Sequence, residues 1–123
     1  MGISAARTDG VQIVVLLSRS LTSSPRHRMW TYLFLGTKGG RTRFEIVRAL
    51  WDGPRNTNQV AGDLAMHYKT VQHHLRLLEA RGVVVTSPRG AYGALFFLAP
   101  DLRRDGSFLR EVGDRLGAPL SLR

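Results

Sequence analysis

Cysteine is absent from the 123 residues. That absence excludes disulfides, thiolate metal sites and cysteine nucleophiles, and it is compatible with a reducing cytoplasm. Long apolar runs are absent too, since none approaches the ~20 residues of a membrane span. The apolar stretch at 11–17 is interrupted by Gln12 and preceded by Asp9, a poor signal peptide. Acidic residues are scarce, 9 against 18 Lys and Arg, for a net charge of +9. A chain this basic attracts polyanions, and nucleic acid is the commonest of them in a cell. Lysine is itself rare: 16 of the 18 cations are arginine, which forks onto phosphate and guanine. No nucleophile–base pair, phosphate-cradling loop or paired carboxylate stands out, so neither an enzyme nor a bound cofactor is expected.

The length suits one domain with tails. We divide the chain into an N-terminal extension (1–25), a central domain (26–99) and a C-terminal helix (100–123) available for dimerisation. Residues 11–17 are too few for periodicity to decide between a strand and a buried helical turn. Residues 18–25 are rich in Ser and Thr and read as a linker. Residues 26–35 begin basic and continue apolar without a clear period, and a helix is expected there. Residues 41–52 predict a firmer helix, with Phe44, Val47, Leu50 and Trp51 within an arc of about 120°. Gly53-Pro54 stops it. Asn56, with Gln59 three residues later, is a capping box that opens a short helix ending near Ala65. A third helix is expected over 67–81, closed by Gly82, where a positive φ carries no Cβ penalty. Two strand-like runs, 83–87 and 94–98, flank a turn-rich connection at 88–93. From about Asp105 a last helix carries Phe108, Leu109, Val112 and Leu116 on one side.

The third helix has two unlike faces. Val71, Leu75 and Leu78 point one way, with His74 beside them. Opposite, Lys69, Gln72, His73 and Arg76 share an arc of about 100° that holds no acid. Arg reads guanine O6 and N7 bidentately, and Gln does the same for adenine N6 and N7. Lys69 and Thr70 fall in the first turn, where the helix dipole favours phosphate. Glu79, at the edge of the arc, is spaced to pair with Arg76.

The run Tyr68-Lys69-Thr70-Val71-Gln72-His73-His74-Leu75, with Leu78-Glu79 and Gly82-Val83-Val84 beyond it and Gly39-Gly40-Arg41 ahead, resembles the winged helix-turn-helix of ArsR-type archaeal and bacterial regulators. The resemblance spans about 37–98, roughly half the chain. It implies an α+β, mainly helical fold, with a three-helix core, a β-hairpin wing and helical extensions at both ends. It implies that the 88–93 connection is the wing and that Arg89 is its contact with phosphate or the minor groove. One position departs from the family pattern: His67 stands where an acidic N-cap belongs. ArsR-type metal sensors commonly bind through thiolates, so metal sensing does not carry over to this cysteine-free chain.

Nor do His67, His73 and His74 form a metal site, because no carboxylate supports them at ligand spacing and His73 and His74 face opposite ways. The expected function is therefore sequence-specific binding of double-stranded DNA by a cytoplasmic transcription regulator. Lys69, Gln72, His73 and Arg76 are the expected base readers, and Arg41, Arg55, Thr70 and Arg89 the expected backbone or wing contacts. A homodimer is expected, because paired recognition helices about 34 Å apart read half-sites one turn apart. The apolar stripes at 29–35 and 108–116 could complete the core or meet a second copy. No motif identifies an effector. Two alternatives remain at this stage. One is a winged-helix protein–protein interaction module without DNA binding. The other is a peripheral membrane-associated regulator using 26–35.

Overall fold

The structure is a computed structural model that describes residues 24–87 and 93–118. In chain order these residues form α1 (Pro25–Leu35), α2 (Gly40–Trp51), α3 (Thr57–Leu64), α4 (Tyr68–Ala80), β1 (Val84–Thr86), β2 (Phe96–Leu98), α5 (Pro100–Arg103) and α6 (Gly106–Arg115). The reading of 11–17, most of the 88–93 connection and Arg89 lie outside the described residues.

Local chemistry sets the helix boundaries. Ser24 caps α1, its Oγ accepting from His27 N at 3.1 Å, and Pro25 occupies the first turn, where its missing N–H costs nothing. Asn56 and Gln59 bond reciprocally at 2.8 Å to open α3. Ala65 closes α3 in the left-handed region (φ 53°) and starts the turn into α4. Gly82 ends α4 at φ 76°, as its lack of Cβ allows.

One apolar core joins every helix. α2 lies at its centre, in contact with α1, α3, α4 and β2. This explains why Ile46, outside the apolar arc of that helix, is buried along with Phe44, Val47 and Leu50. The apolar run in α1 does have a period: Trp30, Leu33 and Phe34 are buried, while Tyr32 between them is exposed. Phe34 meets Phe44 of α2, ring centroids 6.2 Å apart, and Trp30 meets α6, whose Phe108, Leu109 and Val112 are buried in the same core. The Trp30 and Phe108 ring centroids lie 5.8 Å apart. The two stripes thus cover each other within one chain, and the buried α1 residues are not available to a lipid surface. No helix among the described residues is long and apolar enough to cross a membrane.

β1 and β2 pair antiparallel, with Val84 opposite Leu98, Val85 opposite Phe97 and Thr86 opposite Phe96. Arg55 adds a one-residue third strand by exchanging backbone bonds with Phe96 at 3.0 and 2.8 Å. Pro100, which as a sequence signal only ends β2, starts the short α5 and buries Leu102.

Candidate nucleic-acid interface

The α3–turn–α4 unit presents α4 to solvent along one side. His67 caps α4 in place of an acid, its Nδ1 accepting from Lys69 N at 3.2 Å. Val71, Leu75 and Leu78 are fully buried. Lys69, Thr70, His73 and Arg76 are exposed and Gln72 is half-buried. The structure therefore brings the four expected base readers and Thr70 onto one surface. No ion pair engages Lys69 or Arg76 among the described residues. Glu79 is taken up elsewhere, accepting from Thr86 Oγ1 at 2.5 Å. That bond fastens α4 to the base of the hairpin and leaves the Arg76 guanidinium unneutralised.

The other expected backbone contacts are placed differently. Arg41 Nη1 donates to the Leu116 carbonyl at 2.6 Å, which directs its guanidinium to the end of α6. Arg55 Nε lies 2.9 Å from Asp63 Oδ2, an ion-pair approach without hydrogen-bond alignment, while its backbone holds β2.

Between the start of α3, the outer side of α4 and the hairpin runs a groove of about 440 Å³. Asn56, Asn58, Tyr68, Gln72, Arg76 and Thr86 contribute to its walls. Sequence reasoning missed Asn58 and Tyr68. Tyr68 is 41 % exposed at the first position of α4, and its adjacency to Lys69 was the available signal. The groove has hydrogen-bonding walls and the Arg76 cation, and its lining also includes the Glu79 carboxylate that Thr86 holds.

His74 is half-buried on the inner side of α4, and its Nδ1 accepts from Arg43 Nη1 at 3.2 Å. Its pKa is lowered below the ordinary histidine range, first by burial, then by the charge of Arg43 and then by His73. Arg43 is a third residue the sequence did not flag. It is 4 % exposed, the one buried charged side chain among the described residues. Burial also lowers its pKa.

Among the described residues no group of three or more His, Asp or Glu side chains is arranged to hold a metal.

Comparison with known proteins places this geometry. Residues 40–86 match the family model described as bacterial regulatory protein, arsR family. The structure resembles the homodimeric winged helix-turn-helix DNA-binding domain of a possible ArsR-family transcriptional regulator from Mycobacterium bovis, with TM-score 0.51 and 18 % identity, over 94 % of this chain and 92 % of that one. It also resembles a probable transcriptional regulator from Pseudomonas aeruginosa, with TM-score 0.55 and 24 % identity, over 89 % of this chain and 83 % of that one. Comparison with curated protein sequences returns no match. These likenesses establish the fold: a winged helix-turn-helix with its hairpin and flanking helices.

Proposed function

We propose, on the premise that residues 40–86 are the helix-turn-helix of the arsR-family bacterial regulators, that this chain binds duplex DNA sequence-specifically and regulates transcription. One observation carries the reading: α4 buries Val71, Leu75 and Leu78 and turns Lys69, His73 and Arg76 to solvent. A helix supported on one side and cationic on the other fits the major groove of B-DNA.

In this reading Gln72 and Arg76 read base edges, with Lys69 and His73 beside them, and Thr70 meets phosphate at the amino end of α4. The groove next to Arg76 seats one sugar–phosphate strand, with Asn58 and Tyr68 as its walls. Arg89 serves as the wing contact. Arg41 and Arg55 reach phosphate only by leaving Leu116 and Asp63, so they rank behind Thr70. The role is non-catalytic and set in the cytoplasm, where a regulator of this kind meets its DNA. Residues 1–25 act as an extension, 26–99 as the reading domain and 100–123 as the C-terminal segment available for dimerisation.

A homodimer fits the two-fold logic of half-sites, and the similar Mycobacterium bovis domain is homodimeric. The buried stripes of α1 and α6 are already used within the chain. A dimer therefore draws on outer positions such as Tyr32, 63 % exposed.

The test is selection of bound sequences from random duplex DNA by the full chain, followed by titration of the recovered duplex at several salt concentrations. A recurrent sequence and a falling line of log K against log salt are expected, because neutralised phosphates release counterions. No enrichment, or a flat line, would turn the assignment toward a winged-helix module that binds protein.

A further inference from the structure

Among the described residues, no carboxylate pairs with the buried guanidinium of Arg43. Its bonds run to neutral acceptors on three separate parts of the fold. Nε donates to the Leu33 carbonyl of α1 at 3.1 Å. Nη2 donates to the Lys38 carbonyl at 3.3 Å and to Thr37 Oγ1, both in the α1–α2 turn. Nη1 donates to Nδ1 of His74 on α4. Gly39 closes over the pair: a Cβ there would lie 3.1 Å from His74 Cε1 and 3.2 Å from Arg43 Nη1, and its φ of 87° suits glycine alone.

We infer that Arg43 is a positioning residue for DNA reading, which fixes the pitch of the recognition helix on the α1–α2 turn through its hydrogen bond to His74. The inference rests on the DNA-binding reading above. Of the four acceptors, only the imidazole belongs to α4, and only the imidazole can lose its acceptor atom. Arg43 is a permanent donor, so Nδ1 must be unprotonated for the bond to exist. A proton on Nδ1 sets two cations against each other where no acid compensates. The charged groups acting on His74 are Arg43, from α2, and His73, on its own helix; both oppose its protonation. The turn facing it offers Arg43 the Lys38 carbonyl and the Thr37 hydroxyl, both neutral.

The sign follows from linkage. A histidine whose folded pKa is depressed favours the docked helix fully above its ordinary pKa of about 6.5. That contribution is lost as pH falls from there through the depressed value. The quantity to follow is the ratio of affinities for two duplexes, in which the general attraction of a basic chain for phosphate cancels. The probes are the duplex selected at pH 8 and a scrambled duplex of the same composition.

In the wild-type full chain the ratio is expected to fall by more than about twofold between pH 7.5 and 5.5, because protonation of His74 costs the Arg43 bond. In His74→Asn, whose side-chain oxygen accepts without titrating, the ratio should change by less than about twofold over the same range. A wild-type ratio that stays flat overturns the inference. So does an equal acid loss in His74→Asn. A second readout uses the free protein: α4 amide chemical shifts, followed by NMR, should move with the titration of the His74 ring. If neither duplex binds at any pH, the DNA reading fails by itself. The α4 shifts still decide the role of Arg43, and shifts indifferent to His74 overturn it.

Discussion

Gly40 lies against the Phe34 carbonyl so closely that a Cβ at position 40 would sit 2.0 Å from that oxygen. The first turn of α2 therefore touches the backbone of α1 with no side chain between them. Phe34 O belongs to a helix fixed by Trp30 and Leu33 in the core, so it cannot give way cheaply. Gly40→Ala is expected to lower the unfolding free energy by about 3 kcal/mol, the scale of overpacking a tight contact. Urea denaturation followed by circular dichroism measures it. A loss under about 1 kcal/mol would mean that α1 slides freely on α2.

Two positions in the helix-turn-helix should respond in the opposite direction. Gly62 is inside α3 with nothing within 4 Å of an added Cβ, so Gly62→Ala should raise stability by about 0.5–1 kcal/mol through helix propensity. Ala65 holds φ 53° at the end of α3, a conformation that costs an L-residue roughly 1–2 kcal/mol. Ala65→Gly should recover part of that cost. Thermal melts of the two variants check both signs.

Phe108 ties α6 to Trp30 and to His27, with ring centroids 5.8 and 5.0 Å away. Phe108→Ala should cost about 3–5 kcal/mol, as for any large buried aromatic. The emission of Trp30, 2 % exposed at present, should shift to longer wavelength. If both stability and emission stayed put, α6 would be an appendage rather than part of the core.

Arg76 and Arg89 should separate base reading from phosphate contact. Arg76→Ala should lose about 1–3 kcal/mol on the preferred duplex and relax preference at one base position. Arg89→Ala should weaken all duplexes alike and shallow the salt slope by about one counterion. Repeating the selection and salt titration with each variant distinguishes the two. Identical profiles for both would refute the division of roles.

The elements whose signals are local were legible in the sequence. The capping box of Asn56 and Gln59, the apolar arc of α2 and the glycine stop after α4 all occur where their residues place them. The two faces of α4 were legible for the same reason: a helix of known bounds fixes which residues share a side. Arg43 shows the limit. It lies inside the very arc that holds Val47 and Leu50, yet an arginine there signals nothing until the neutral acceptors of three elements surround it.

Tertiary contact decided the rest. The run in α1 is apolar at nearly every position, so its period emerged only when α2 and α6 together selected Trp30, Leu33 and Phe34 for burial. Whether the stripe on α6 met its own chain was likewise a matter of where α1 ended up. Arg55 joined β2 although a single residue has no strand pattern. Glu79 took Thr86 in place of Arg76 because the hairpin folds back beside α4, a neighbour no helical spacing reveals. Sequence by itself determined α2, α3, α4 and α6, the Asn56 cap and the cationic face of the recognition helix, because these depend on residues within a few positions of each other. Only the packed chain decided which charges stay free and which are held, because those partners lie far apart along the chain, 31 residues apart for Arg43 and His74.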